Sequence, residues 1–351
     1  MVGEPGDRWA ERGVQSALTL LEGGPWETTT IHGTGGGSYG SSVARLRSGN
    51  NSVIVKVVRR NDAAASESDS WLRELEIYRS SWLSAFLPAS LAMPKCLGSA
   101  IDEEVAVLVL EDLTFDDRDA RSIEWYARLA RGLGELSSAP LLDVPPWASQ
   151  GFVASQARTM MAAVPGMAKA PSPHLADLVD AWLPLLERLV DAAPSLLGQL
   201  DAMPQSFNHL DAFSRNAAEI DGRIVLIDWA FAGVAPIGAD AAGVVAMTAM
   251  HGDAAGLDLN QFHRSVVDAF ISGVGDLPSG VAFEDVENSI ETLLVLRWAG
   301  FLAQVHGAGD EILEIAESVS GRPFDEGLRA WQALSELVMP IAERALHRVD
   351  R

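Results

Sequence analysis

The chain has 351 residues, of which 48 are acidic and 26 are basic, so its formal net charge is −22. Nucleic acids and anionic membrane surfaces attract basic segments, so we expect neither as a partner. The acidity is compatible with a cationic small-molecule partner, although solubility explains it more simply. Hydrophobic residues make up 48% of the chain, which indicates a folded globular protein.

The sequence also limits the compartment and the cofactor chemistry. Cys96 is the only cysteine, which excludes an internal disulfide framework and a thiolate metal cluster. The N-terminal residues are charged and contain no apolar run, so we expect no secretory signal and a cytoplasmic location. Residues 231–250 form the most apolar stretch, but they include Pro236 and Asp240, and we predict a buried helix with its preceding loop.

Short strands and turns dominate the N-terminal third. The predicted segments are a helix at 15–23 and strands at 28–31, 42–46, 52–58 and 105–110. Apolar residues at helical spacing predict one further helix over residues 69–87, with Asp69 or Ser70 as its cap. We therefore expect a small antiparallel sheet with one helix.

Helical patterns dominate the rest of the chain. The predicted segments are helices from 122 to 200 with an exposed loop at 165–173, short strands at 206–229, and helices from Val244 onward. This order favours an α+β fold with two lobes and a cleft between them. The predicted division is 1–110 for the first lobe, 111–114 for a hinge, and 115–351 for the second lobe.

A glycine-rich segment between the first two predicted strands is a candidate binding site. It contains Gly35, Gly36, Gly37 and Ser38. Glycines let a backbone approach a phosphate closely and offer its N–H groups. An ordinary surface hairpin has the same composition, so the glycines alone do not distinguish a phosphate-binding loop from a hairpin.

Lys56 lies at the centre of an apolar strand, one hairpin after the glycine segment. Its ammonium could reach phosphates held there, and Glu74 or Glu76 on the following helix could pair with it. The alternatives are a lysine that faces solvent and glutamates on a solvated helix face.

An H-x-D-x-x-x-x-N segment is the most specific pattern in the chain. Asp211 and Asn216 lie five residues apart on a predicted loop, and Asp228 ends the apolar strand of the next hairpin. Carboxylate and amide oxygens suit Mg²⁺, so we expect Asn216 and Asp228 to be metal ligands. Asp211 would then accept a proton from a hydroxyl or orient it. The alternative is an Asp- and Asn-rich turn that only caps a hairpin.

The order of these motifs resembles the aminoglycoside phosphotransferase/choline kinase branch of the protein-kinase-like fold. The resemblance covers about residues 28–245, from the glycine segment to the I-D-W sequence that contains Asp228. It implies a bilobed α+β protein that uses ATP, or GTP, together with Mg²⁺. Two departures are Leu210, where this branch usually has glycine, and Trp229-Ala230 in place of the Phe-Gly of protein kinases.

The resemblance implies a role for each candidate in nucleotide binding. Lys56 would hold the α- and β-phosphates, and Glu74 would pair with it. Residues 109–113 would form the hinge, where backbone groups around Glu111 and Leu113 would bind adenine.

The resemblance also implies the catalytic roles. Asp211 would be the catalytic carboxylate, and Asn216 and Asp228 would hold Mg²⁺. His209 would be a structural brace and not a base. Arg215 could contact the acceptor or the transferred phosphoryl group, but an ordinary salt bridge is favoured.

The acceptor is expected to bind the helical lobe. Acidic residues there could attract an amine, or could simply form a solvated loop: Asp116, Asp117, Asp119 and Glu124. Aromatic residues could wall a pocket, although aromatics at helical spacing are more often core: Trp125, Tyr126, Trp147, Trp182, Trp298 and Trp331.

The favoured function is O-phosphorylation of a small molecule such as an antibiotic, a sugar or an amino alcohol, in antibiotic resistance or biosynthesis. The alternatives are a kinase of Ser/Thr in a ribosomal precursor peptide and a nucleotide-binding pseudoenzyme. No clear activation loop or A-P-E segment follows Asp228, which argues against a regulated protein kinase. The intact set of Lys56, Asp211, Asn216 and Asp228 argues against a pseudoenzyme.

Overall fold

The computed structural model describes residues 8–22, 24–30, 41–60, 71–141, 143–167, 176–277, 279–307, 317 and 322–350. The glycine segment with Gly35, Gly36, Gly37 and Ser38 lies outside the described residues, as do the predicted caps Asp69 and Ser70. The chain forms two compact units. Unit 1 comprises Met1–Asp116, Pro145–Ser149 and Ala218–Ala232, and unit 2 comprises Asp117–Val144, Gln150–Ala217 and Gly233–Arg351.

The elements follow one another in a strand-rich part and then a helix-rich part. The first are α1 (Arg8–Leu20), β1 (Glu27–Thr30), β2 (Ser41–Ser48), β3 (Asn51–Arg59), α2 (Arg73–Arg79), β4 (Leu91–Ala92), β5 (Cys96–Ile101) and β6 (Val105–Glu111). Then come α3 (Ile123–Ser137), α4 (Phe152–Met167), α5 (Ala176–Asp201), β7 (Gln205–Asn208), β8 (Ala217–Ile220), β9 (Arg223–Leu226) and β10 (Gly233–Pro236). The last are α6 (Ala239–Met250), α7 (Leu259–Val274), α8 (Phe283–Gly307) and α9 (Phe324–Val349).

A five-stranded antiparallel sheet forms the centre of unit 1, in the order β1-β2-β3-β6-β5. Side chains alternate between the two faces of a strand, so the long apolar runs of β3 and β6 cover both faces. Val53, Val55 and Val57 pack in one cluster with Ala17 of α1. Alternation places Lys56 on the opposite face, where it lies in register with Leu108 of β6.

Two helix boundaries in unit 1 differ from the predicted ones. Helix α1 begins at Arg8 instead of residue 15, because Trp9 already packs against the sheet. The helix predicted to continue to residue 87 ends at Arg79, and a 3-10 turn follows at Leu83–Ala85. Ser80 has an extended ψ of 148°, as expected for a residue type that competes with helical hydrogen bonds.

A small second sheet in unit 1 carries the segment that leads to Asp228. Strand β9 pairs in parallel with β4 and also neighbours β8. Asp221 and Gly222 join β8 to β9 with positive φ values of 51° and 76°, which are typical of a tight hairpin turn. Asp228 follows β9 by two residues and itself has a φ of 60°.

Helices and the two-stranded sheet of β7 and β10 form unit 2. Residues 165–167 of the expected loop at 165–173 belong to α4, which continues through Pro165 to Met167, and the rest of that segment lies outside the described residues. A proline so close to a helix end removes few hydrogen bonds. Most of the aromatic residues considered as pocket walls are buried in the core instead: Trp125, Tyr126, Trp182, Trp298 and Trp331.

The apolar stretch at 231–250 contains β10 and the buried helix α6. The helix was predicted, whereas β10 lies in the part expected to be loop. None of the helices in the described ranges combines the length and apolar character that a membrane span requires.

Two glycines allow α3 and α7 to approach each other closely. A Cβ atom at Gly134 would lie 2.1 Å from the Phe270 carbonyl oxygen, and one at Gly273 would lie 2.1 Å from the Arg131 carbonyl oxygen. We expect Gly134→Ala to lower the free energy of unfolding by at least about 2 kcal/mol, because backbone atoms must move apart. Gly198→Ala is the matched control in α5, where a Cβ would contact nothing. Urea denaturation should show that Gly198→Ala is neutral or stabilising by up to about 1 kcal/mol. Equal effects of Gly134→Ala and Gly198→Ala would contradict the close packing of α3 against α7.

Candidate active site

Lys56 lies between two carboxylates of unit 1. Its Nζ is 2.6 Å from Glu74 Oε2 of α2 and 2.7 Å from Asp228 Oδ1. The side chains of Lys56 and Glu74 are 10% and 3% exposed, whereas that of Asp228 is 40% exposed. The structure therefore selects Glu74, and not Glu76, as the partner that the sequence left open. The role of the Lys56–Glu74 ion pair in nucleotide binding remains a prediction.

The two carboxylates keep Lys56 protonated. Burial lowers the pKa of Lys56, but the charges of Asp228 and Glu74 outweigh burial, so its pKa lies above the ordinary value. One ammonium beside two carboxylates leaves a local formal charge of about −1. This net negative charge would attract a divalent cation to the exposed side of Asp228, which fits the hard oxygen donor expected there.

Arg73 fixes the segment after Asp228 to α2. It is 1% exposed, and it donates from Nε to the Trp147 carbonyl at 2.9 Å and from Nη1 to the Ala230 carbonyl at 2.5 Å. The buried Trp229 indole N–H donates to the Leu226 carbonyl at 3.1 Å. These bonds hold both sides of Asp228. Arg73 was not predicted from the sequence, although its position next to Glu74 on the predicted helix was a usable signal.

Asp211 and Asn216 come together in the loop after β7 in unit 2. Asn216 Nδ2 donates to Asp211 Oδ2 at 2.7 Å and to the Asp211 carbonyl at 3.0 Å. Both amide hydrogens are used in these bonds, so the amide oxygen is the atom left to coordinate a cation. The Asn216 side chain thus fits the predicted metal ligand, and Asp211 is held in a defined orientation.

Asp240 of α6 binds the backbone at the start of this loop. Its carboxylate accepts the N–H of His209 at 2.8 Å and the N–H of Leu210 at 2.7 Å. His209 is fully buried, and its Nδ1 accepts the N–H of Asp211 at 3.3 Å. The burial of the His209 side chain fits its expected role as a structural brace. Leu210, which occupies the position usually held by glycine, has a φ of +65°.

Asp253 anchors the other end of the loop. Its Oδ2 accepts from Ser214 Oγ at 2.6 Å and forms a salt bridge with Arg215 Nε at 3.2 Å. The favoured interpretation of Arg215 as an ordinary ion pair therefore matches its observed contact. Arg121 donates to the carbonyls of Ser214 and Ala217. Asp253 and Arg121 were not predicted, because both are distant from the loop in sequence.

A cavity of about 480 Å³ opens beside the predicted hinge in unit 1. Its lining residues are Arg45, Arg47, Ser52, Asp112, Leu113, Thr114 and Phe115. Arg45 Nε lies 2.6 Å from Asp112 Oδ2. The Glu111 side chain accepts the N–H of Lys95 at 2.8 Å, and the Glu111 N–H donates to the Lys95 carbonyl at 3.0 Å. The contact of Glu111 with adenine stays a prediction.

The acidic residues considered for amine recognition have separate surroundings. Asp116 Oδ1 accepts the N–H of Glu219 at 3.4 Å in unit 1, and Asp117 is exposed. Glu124 is exposed at the start of α3, where hydrogen bonds from the Ser122 side chain and from its own backbone N–H lower its pKa. The side chain of Asp119 is outside the described set. An amine site formed by these residues stays a prediction.

The buried carboxylate of Asp240 predicts a pH-dependent stability. Burial raises its pKa to about 6, although the N–H bonds of His209 and Leu210 and the charge of Arg297 act in the opposite direction. The unfolded chain releases this proton near pH 4, so the contribution of Asp240 to stability falls as the pH rises from about 4 to about 6.

We expect urea denaturation to show this fall when the wild type is compared with Asp240→Asn. The difference in unfolding free energy should decrease by up to about 3 kcal/mol between pH 4 and pH 7. A difference that stays constant or increases over this range would contradict the assignment of Asp240 as the buried titrating group.

The chain has the protein-kinase-like fold. A sequence profile of the phosphotransferase enzyme family matches residues 34–270, which is more than half of the chain. The chain belongs to this family. The family, the fold class, and the enzyme class of a phosphotransferase with an alcohol acceptor are thereby confirmed. No curated protein matches the chain in sequence.

Solved structures share the fold across nearly the whole chain. Choline kinase from Cryptosporidium parvum Iowa II has a TM-score of 0.59 at 13% identity, covering 97% of this chain and 100% of that chain. Amicoumacin kinase, in complex with AMP-PNP, Ca²⁺ and Ami, has a TM-score of 0.58 at 14% identity, covering 99% and 100%. Spectinomycin phosphotransferase, in complex with ADP and spectinomycin, has a TM-score of 0.57 at 13% identity, covering 97% and 98%. At these identities the similarity shows the fold alone.

Proposed function

We propose that the protein transfers the γ-phosphoryl group of ATP, or of GTP, to a hydroxyl group of a small molecule. The acceptor class comprises antibiotics, sugars and amino alcohols. The observation that carries this proposal is the Asp211–Asn216 pair, held by two hydrogen bonds from one amide nitrogen. The family of the chain and the phosphotransferases that share its fold support the same chemistry.

In this proposal Lys56 holds the α- and β-phosphates of the nucleotide, and Glu74 fixes the lysine side chain. Backbone groups of Glu111 and Leu113 bind the base, and Gly35, Gly36, Gly37 and Ser38 cover the phosphates. These assignments rest on the motif order and on the buried Lys56–Glu74 ion pair.

Asn216 and Asp228 are the proposed ligands of Mg²⁺, which when bound neutralises charge on the phosphates. Asp211 accepts a hydrogen bond from the acceptor hydroxyl and orients its oxygen toward the γ-phosphorus. The bond between that phosphorus and the β,γ-bridging oxygen breaks as the new P–O bond forms. The hydroxyl proton passes to Asp211, and the nucleoside diphosphate leaves.

A coupled assay of ADP and GDP release tests this function. The purified chain is incubated with Mg²⁺ and each nucleotide against amines, sugars, nucleosides, aminoglycosides and serine-containing peptides. We expect release that depends on one class of small hydroxyl compound, with the phosphorylated product identified by mass spectrometry. Phosphate on a peptide would instead support the precursor-peptide kinase. Stabilisation by nucleotide without turnover on any acceptor would support the pseudoenzyme.

A further inference from the structure

Arg297 of α8 forms an ion pair with Asp211, and no sequence motif pointed to it. Its Nη1 donates to the Leu210 carbonyl at 3.2 Å, and its Nη2 lies 3.6 Å from Asp211 Oδ1. The second distance exceeds that of a good hydrogen bond, so the contact with Asp211 is mainly electrostatic. Arg297 thus contacts both the backbone before Asp211 and the carboxylate itself.

The backbone at Leu210 requires such support. A non-glycine residue at a φ of +65° is strained, and leucine has none of the freedom that glycine has there. Asp240 accepts the Leu210 N–H, and Arg297 donates to the Leu210 carbonyl, so both peptide groups are fixed. The side chain is 1% exposed. Three separate interactions hold the conformation from which Asp211 projects.

Stability alone gives a poor account of an arginine at this position. The Arg297 side chain is 10% exposed, and burial lowers its pKa despite the charges of Asp211 and Asp240. Its Nε has no hydrogen-bond partner among the described residues. The Phe152 ring, whose centroid lies 5.7 Å from the Arg297 guanidinium carbon, lines the same wall of the helical unit together with the apolar Leu293 and Leu296. A buried charge with imperfect pairing is costly, and an apolar side chain would pack there at lower cost.

We propose that Arg297 is a positioning residue that keeps Leu210 in the left-handed conformation and thereby fixes the direction of the Asp211 carboxylate. The proposal rests on the proposed function, since it concerns the orientation of the group that receives the acceptor hydroxyl. Displacement of a reacting group by about 1 Å can lower turnover by about 100-fold. Arg297 acts through Asp211, so the nucleotide should bind as before.

The test compares Arg297→Met and Arg297→Lys with the wild type. We expect Arg297→Met to lower kcat by about 30- to 100-fold while KM for the nucleotide changes less than about 2-fold. Arg297→Lys keeps the charge but not both contacts, and should recover part of kcat. Arg188→Met is the matched control, because Arg188 forms an exposed ion pair with Glu343 in the same unit. It should retain wild-type kcat.

The substitution Leu210→Gly tests whether Arg297 acts on Asp211 through the backbone of Leu210. Glycine adopts a φ of +65° without strain, so Arg297→Met should cost several-fold less in kcat when Leu210→Gly is also present. If the losses of kcat from Arg297→Met and Leu210→Gly multiply independently, Arg297 does not act through the backbone of Leu210. An unchanged kcat in folded Arg297→Met, with only a lower Tm, would overturn the proposal as a whole.

A crystal structure of Arg297→Met separates this proposal from the proposed function. We expect Leu210 to leave the left-handed region and Asp211 to change its direction, whether or not an acceptor is known. If Leu210 and Asp211 keep their positions, the proposal is wrong. If Arg297→Met does not fold, the same structural comparison is made with Arg297→Lys.

Discussion

Replacing Asp211 with asparagine should lower kcat by about 1,000-fold and leave the Tm within a few degrees of the wild type. Asparagine keeps the size of the side chain and an oxygen that can accept the bond from Asn216 Nδ2. It cannot take up the proton of the acceptor hydroxyl, and removal of a general base typically costs about 100- to 10,000-fold. Thermal unfolding and the steady-state rate of phosphate transfer measure the two quantities.

Asp221→Asn is the matched control for this change. Asp221 lies in the turn between β8 and β9 with a φ of 51°, a conformation that asparagine adopts readily. The same chemical change at this turn should leave kcat and Tm unaltered. Wild-type turnover in Asp211→Asn, or an equal loss in both variants, would remove Asp211 from the chemistry.

Replacing Lys56 with methionine should affect both stability and activity. Glu74 is 3% exposed, and without its partner it becomes an unpaired buried carboxylate. Such a loss typically costs about 3–5 kcal/mol of folding free energy. The loss of a phosphate-binding ammonium should lower kcat/KM for the nucleotide by about 100- to 1,000-fold.

A double variant separates the two effects of Lys56. In Lys56→Met/Glu74→Gln the buried carboxylate is also neutral, so we expect most of the stability to return while kcat/KM stays low. Lys95→Met, at an exposed lysine of the same unit, should match the wild type in both respects. Recovery of activity together with stability in the double variant would show that Lys56 is structural only.

The N-terminal sheet was predictable because its pattern is local. The β-branched runs around Lys56 and at 105–110 allow few other structures, and they form β3 and β6. Helix ends were less predictable, since α1 extends toward the N-terminus to pack Trp9 and α2 stops at Ser80. The packing of Trp9 sets the start of α1, and the extended backbone of Ser80 sets the end of α2.

Contacts between the candidate site residues were predictable where the residues are close together along the chain. Asp211 and Asn216 are five residues apart and form a hydrogen-bonded pair. Helical phase alone could not distinguish Glu74 from Glu76, because the choice depends on which side of α2 faces the sheet. Arg297 is 87 residues from Leu210, and its contact arises only from the packing of α8 in unit 2. No local pattern indicates such a contact.

A crystal structure with a non-hydrolysable ATP analogue and Mg²⁺ tests the central proposal most directly. We expect Lys56 Nζ within hydrogen-bonding distance of an α- or β-phosphate oxygen, and Mg²⁺ about 2.1 Å from oxygens of Asn216 and Asp228. The γ-phosphate should point toward Asp211. A nucleotide bound away from Lys56, or a metal ion held by neither Asn216 nor Asp228, would contradict the proposed mechanism.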